Sequence, residues 1–320
     1  MIFGQRAATA VKAAAPAQKV SFIQEMKRNW VLYAMALPGI IALLVFSYGP
    51  LMGISVAFLD YNPIKGIFAS KWVGIQNFID AFKNPFFLAA FRNTVVIKGF
   101  QTIIGYPSAI ILALLLNEAG RGTKRVVQTS TILPYFISWV VIAAMFQNLL
   151  DPTSGVVNEV LVKVFGLKEP IAFLSTPETF RWIMILQDTW KFAGFFAVIY
   201  LAAIARIDPT LYEVAMVDGA NRWQQTWYIT LPGIRSTMVT LLIILMGYLV
   251  LGSFEQIFAQ YNVGVYATAD IMETFSFRLG LKDNRYGFAT AVGLFQSVLA
   301  TGLVLLTNRL VKFIDEGGLF

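Results

Sequence analysis

The chain has 320 residues, 57% of them hydrophobic and 13% charged, with a formal net charge of +7. Its charged fraction is about half that of an average soluble domain, and a mean hydropathy of +0.66 is more than a water-facing surface accommodates, so the surrounding solvent is largely lipid. Cysteine and histidine are both absent, which excludes disulfides, thiolate metal sites, thiol nucleophiles and imidazole acid–base chemistry.

Residues 1–29 are polar and alanine-rich, with Arg6, Lys12, Lys19, Lys27 and Arg28 against Glu25 alone, and are expected to form a flexible cytoplasmic tail. The apolar stretch at about 30–59 is too long for the core of a secretory signal and reads as the first span. Thirty helical residues cover roughly 45 Å, more than a bilayer core needs, so tilt or a break near Gly49-Pro50 is expected. A loop with turn signals at Asn62-Pro63, Lys65-Gly66 and Asn84-Pro85 follows. The second span, about 91–116, contains Lys98, and the basic connector Arg121-Gly122-Thr123-Lys124-Arg125 precedes a third at about 126–150. After a loop to residue 179, the fourth span, about 180–205, carries Asp188 and Lys191. A polar segment at 206–236 separates it from the fifth span, about 237–258. An outer loop then leads to the sixth, about 286–307, and to a short tail at 312–320. The expected fold is an all-α integral membrane protein of six spans, with both termini on one side.

Loop charge orients such a protein, since cytoplasmic loops carry the excess of Lys and Arg. The residues before the first span and after the sixth, the basic connector and the 206–236 segment hold 13 Lys/Arg together, against 10 in the three opposite loops counted to the span ends with Arg92 and Arg181. The first set is therefore assigned to the cytoplasm, together with both termini.

Lys98, Asp188 and Lys191 lie within apolar spans, where a charge costs several kcal/mol and usually faces a cavity or a partner. Asp188 and Lys191 are three apart and can pair on one helix face. Lys98, a few residues into its span, can snorkel toward the interface. The functional alternative puts Lys98 and Lys191 along a path for an anionic or hydroxyl-rich solute. Trp139 and Trp190, with Phe136, Phe192, Phe195 and Phe196, offer aromatic faces on which sugar rings stack, and Trp190 stands beside Lys191. Lipid contact or packing is the ordinary use of such aromatics. Gly194 is a candidate for tight helix packing.

No catalytic constellation emerges. Gly120 to Arg125 has glycines and cations without the spacing of a phosphate loop, and neither a nucleophile elbow nor metal-ligand spacing is present. Glu213 and Asp218, five apart in a polar segment, do not read as an acid–base pair.

The segment 206–236 has the clearest local logic. Asp208-Pro209 supplies an N-cap and a proline at the first helical position, predicting a short helix through Leu211, Tyr212 and Ala215 to Val217. Gly219 turns the chain, and Asn221 with Gln224 makes a capping-box pattern for a second helix ending at Leu231, before Pro232. Two short helices joined by a glycine form a compact knob.

Glu213, Ala215, Gly219, Ile229, Leu231 and Pro232, at their spacing, resemble the "EAA" cytoplasmic loop of permease subunits of binding-protein-dependent ABC importers. Val214 in place of a middle alanine and Ser236 in place of a second proline are mild departures; the alternative is an ordinary amphipathic linker on a membrane surface. In that family the knob sits in a cleft of the ATPase subunit. The resemblance therefore assigns coupling to Glu213, Ala215, Asp218, Gly219, Ala220, Asn221 and Arg222.

Trp72-Val73-Gly74-Ile75-Gln76-Asn77-Phe78, Leu133-Pro134-Tyr135-Phe136-Ile137-Ser138-Trp139, Tyr200-Leu201-Ala202-Ala203 and Ile207 to Glu213 resemble the carbohydrate-importing branch. Within it they look most like permeases for polysaccharides and oligosaccharides such as alginate and pectin fragments, although many of those have a histidine where Tyr135 stands. The resemblance implies a type I ABC importer permease fold in a bacterial cytoplasmic membrane. It further implies a second, unlike permease subunit, two ATPase subunits that bind ATP and Mg, a solute-binding protein, a sugar substrate and no nucleic acid. This chain itself is expected to bind no cofactor or metal and to break no bond. A secondary transporter or channel would lack the knob and often repeats its spans, which is not seen here; a membrane enzyme would need more than Asp188 within the spans.

Overall fold

The computed structural model describes residues 26–314; most of the expected N-terminal tail, and residues 315–320 of the expected C-terminal one, lie outside the described residues. Among the described residues, those up to Gly53 form a unit of their own. Helix α1 (Trp30–Leu43) passes into a π-helical turn at Leu44–Tyr48 and then into 3-10 winding at Gly49–Phe58. The break expected near Gly49-Pro50 is thus a change of winding, at the proline that cannot donate to the preceding turn. The stretch is apolar on every side, the pattern of a helix that needs cover all round.

From Ile54 onward the chain forms the second unit. Two-residue strands β1 (Leu59–Asp60) and β2 (Lys71–Trp72) pair antiparallel. The motif after them closes this segment: Gly74 turns at φ +61°, and the Asn77 amide donates to the Ala57 and Leu59 carbonyls at 2.9 and 3.0 Å. Asn77 belongs to a helix, α2 (Gln76–Lys83), where a loop was expected. Helix α3 (Pro85–Glu118) begins six residues before the expected span, because Asn84 caps the Phe86 N–H and Pro85 takes the first position. A turn signal and a helix start share those residue types.

The expected third span is not one helix. Helix α4 (Arg121–Ile132) tightens into a 3-10 turn at Leu133–Phe136, and α5 (Trp139–Leu149) departs at 105°. Ile137 and Ser138 are extended, and the Ser138 hydroxyl accepts from the Val141 N–H at 3.4 Å to start α5. Helix α6 (Val156–Lys163) folds within the following loop. Thr153 and Ser154 both donate to the half-buried Asp151 carboxylate ahead of it, holding that carboxyl well below its ordinary pKa. Helix α7 (Pro177–Ile204) matches the expected fourth span closely. After α8 (Pro209–Val217) and α9 (Arg222–Gln225) of the knob come α10 (Arg235–Gly247), a short α11 (Phe254–Phe258), α12 (Met272–Phe277) and α13 (Tyr286–Ile314). By length and composition four helices can cross a membrane, or up to six if each of two bent pairs is one span.

The core of this unit is built on α3 and α7. Ala109 and Ala113 of α3 are fully buried in one cluster with Ala197, Tyr200 and Leu201 of α7; small residues let backbones approach where lipid gives no hydrophobic drive between helices. The Tyr106 hydroxyl ties α3 to α10 by donating to the Met238 carbonyl at 2.9 Å. Near the start of α3, Phe87 packs with Phe275 of α12 and with Phe288 and Val292 of α13.

Candidate functional site

The knob takes the form its residues dictate. Helix α8 (Pro209–Val217) starts at Asp208, whose side chain accepts from the Thr210 N–H at 3.0 Å. That bond holds the exposed Asp208 carboxyl below its ordinary pKa. Gly219 turns at φ +79°. Asn221 and Gln224 exchange side-chain to backbone bonds of 2.9 and 2.8 Å at the start of α9 (Arg222–Gln225). The second helix, however, does not stop at Leu231. It widens into a π turn at Thr226–Thr230 and continues through Leu231–Gly233, with Pro232 early in a new turn where its missing N–H has little to lose. The axis bends by 59° only between Gly233 and Arg235, leading into α10.

Glu213, Asp218, Gly219, Asn221 and Arg222 are exposed, and Ala215 and Ala220 half-buried. Arg222 pairs with Glu118 at the end of α3 at 2.6 Å. Both partners are open to solvent, so the pair contributes at most about 1 kcal/mol, but it joins the knob to a core helix. The Tyr212 and Thr230 hydroxyls meet at 3.0 Å. Around these polar groups the knob shows Val214, Val217 (88% exposed), Tyr228 and the stacked pair Trp223 and Trp227. Apolar side chains gathered this way on a loop mark a protein–protein or membrane interaction surface.

A second feature is a cavity of about 310 Å³ between α3, α7 and the end of α10, lined by Lys98, Gln101, Tyr106, Asp188, Phe192 and Phe196 among others. Lys98 does not snorkel along its helix; its ammonium donates to the Gly252 carbonyl at 3.5 Å. The Thr189 hydroxyl, also on the lining, is buried without a partner among the described residues.

Lys191 is engaged elsewhere. Among the described residues no ion pair joins it to Asp188; its ammonium donates to the carbonyls of Pro134 at 3.3 Å, Tyr135 at 3.0 Å and Ile137. The Pro134 carbonyl also accepts from the Ile137 N–H at 3.2 Å; a helix end leaves the others without backbone partners, and within hydrocarbon no water can serve them. The orphaned backbone therefore outcompetes the local carboxylate. The Trp139 ring lies 5.3 Å from the ammonium and the Phe192 ring 5.8 Å, adding cation–π attraction. Gly194 makes the arrangement possible: a Cβ there would come within 2.0 Å of the Thr131 carbonyl oxygen, so only glycine lets α7 lie against the bend. Trp139 is buried in this cage, and Trp190 is 41% exposed beside Phe146. Of the four path candidates, Lys98 alone lines the cavity.

The sequence reading passed over four glutamines. Gln101 of α3, Gln187 of α7, Gln256 of α11 and Gln260 just beyond it form a buried amide seam. Gln101 donates to Gln256 at 3.0 Å, and Gln187 and Gln260 exchange bonds of 2.8 and 2.9 Å. Gln101 also reaches the cavity wall. The available signal was uncharged amides inside apolar stretches, which a search for charges misses. Beside the seam the stretch expected as the fifth span is interrupted at Leu251–Ser253, where Gly252 has φ +85°. The two Glu273 carboxylate oxygens accept from the Gly252 and Ser253 N–H groups at 2.9 and 3.1 Å.

Comparison with known proteins gives these features a context. The polygalacturonan/rhamnogalacturonan transport system permease protein YteP of Bacillus subtilis (strain 168) is 40% identical over 319 residues, covering 97% of this chain and 99% of that protein. Protein LplB of the same organism is 37% identical, covering 94% of each chain. A bacterial alginate ABC transporter, crystallised in complex with an alginate pentasaccharide-bound periplasmic protein, superposes with a TM-score of 0.85 at 41% identity, over 93% of this chain and 99% of the matched one. Residues 105–317, from the middle of α3 through the cavity, the bend and the knob, match one family throughout: the chain belongs to the inner membrane components of binding-protein-dependent transport systems.

Proposed function

We propose that this chain is one of two unlike permease subunits of an ATP-driven importer, with six spans, both termini cytoplasmic, and the 206–236 knob as its coupling element. The observation that carries this reading is the knob: two capped helices around Gly219 that leave Val217 and Trp223 bare beside Glu213, Asp218 and Arg222. Two ATPase subunits, which bind ATP and Mg, close on each other and draw the knobs together. The spans then rock between inward-open and outward-open around a site near the midplane. A solute-binding protein delivers the solute from outside. This chain breaks no bond; it converts the position of the ATPases into which side of the path is open.

The substrate we propose is an acidic oligosaccharide. Lys98 in the cavity supports it, as do the polygalacturonan/rhamnogalacturonan of YteP and the alginate of the superposed transporter. One observation favours a neutral oligosaccharide instead, because Asp188 lines the same cavity and offsets the cation.

The test is uptake by the complete complex in vesicles, with its binding protein, across acidic and neutral oligosaccharides. Acidic sugars are expected to be preferred, and Lys98→Gln to lower their uptake by about tenfold, the worth of one charge-assisted bond. A neutral preference unaffected by Lys98→Gln would remove the acidic assignment. Uptake by this chain without an ATPase would remove the importer reading altogether.

A further inference from the structure

Away from the knob and the cavity, cations gather at the start of α4. Arg121, Lys124 and Arg125, with Gln128, Thr129, Ile132 and Val198 of α7, line an open hollow of about 460 Å³. Among the described residues none of the three cations has an ion pair. The nearest acid in sequence, Glu118, is held by Arg222. That pairing also puts the hollow at the knob's end of α3, since α4 begins three residues after Glu118.

The order of these residues along α4 is informative. Positions 121, 124, 125, 128, 129 and 132 fall on one helix face. Along that face the chemistry runs from three cations through an amide and a hydroxyl to Ile132, roughly 16 Å further on at 1.5 Å per residue. Val198 completes the apolar end from a helix long and apolar enough to cross a membrane. A soluble phosphate would use the cations and leave the rest of this gradient without purpose. An amphiphile uses all of it, with an anionic head on the cations, ester oxygens by Gln128 and Thr129, and a chain along Ile132 and Val198. We infer that this hollow is a binding site for the headgroup and upper acyl chain of an anionic phospholipid.

The test is native mass spectrometry of the purified complex, titrated with phosphatidylglycerol or phosphatidylcholine. Neutralising the connector alone would also disturb the charge bias that orients insertion. The variant therefore combines Arg121→Gln and Arg125→Gln with Thr123→Lys and Val126→Lys, which moves two cations to the other side of α4 without changing their number. Thr123 and Val126 are exposed, so the swap leaves the packed face alone. The wild-type complex is expected to retain phosphatidylglycerol in preference to phosphatidylcholine, and the swap to weaken that retention by about twentyfold, at roughly fivefold per cation near a membrane surface. Arg121→Lys with Arg125→Lys should retain it. Equal retention by the swapped variant, or no preference in the wild type, would overturn the site. Displacement of the lipid by excess inorganic phosphate would assign the hollow to a soluble anion instead.

Discussion

The break at 133–138 and the break at 251–253 interrupt helical stretches in opposite senses, and each is closed by a charge of the matching sign. At the first, α4 and its 3-10 turn end with carbonyls pointing forward, and the Lys191 ammonium from α7 donates to three carbonyls at the bend. At the second, the chain resumes toward α11 with free N–H groups, and the Glu273 carboxylate takes two. Backbone polarity at each interruption sets the sign of the charge. A charge within an apolar span is therefore not by itself a mark of the solute. Lys98, which makes a single long bond to the Gly252 carbonyl and faces open space, is the better candidate for that role.

The comparison can be broken at either end. Lys191→Met removes the donor from the Tyr135 and Ile137 carbonyls, while that of Pro134 keeps the Ile137 N–H, and should cost about 2–4 kcal/mol, at about 1–3 for each unsatisfied group with partial relaxation. Thermal unfolding of the purified complex reads this, and Lys191→Arg, which still donates, should recover most of it. An unchanged midpoint for the methionine variant would mean that the bend holds itself. Glu273→Gln keeps one good acceptor of two and should cost about 1–2 kcal/mol by the same measurement; a loss as large as that at Lys191 would contradict the bond-by-bond account.

The turn at Gly219 sharpens the contrast, because it stands in open space, supported by local caps. Gly219→Asp should cost only about 1 kcal/mol for the positive φ and leave insertion intact. Uptake should nonetheless be abolished and ATP hydrolysis stopped or uncoupled. Normal transport by this variant would count against the docking role.

What could be read from sequence follows the same division. The caps at Asp208 and Asn221 and the turn at Gly219 depend on residues within three positions of one another, so the knob was legible in advance. Its far end was not, because Pro232 serves equally well as a stop and as an early helical position. Lys191 was recognisable as an intramembrane charge, but its partners lie 54 to 57 residues away and are main-chain groups that no side-chain pattern advertises. The three-residue spacing to Asp188 pointed to the wrong partner, since a local pairing rule cannot anticipate a helix end brought alongside. Gly194 was legible as a packing glycine, though not what it packs against.

The glutamine seam has a consequence for how such a bundle moves. An amide head both gives and accepts, so when neighbouring helices slide, each rung can release one mate and take the next. A lysine and a carboxylate in the same place would have to be prised apart, leaving bare ions in oil. Gln101, Gln187, Gln256 and Gln260 thus join three rods with a fastening that can be re-threaded without leaving any rung bare.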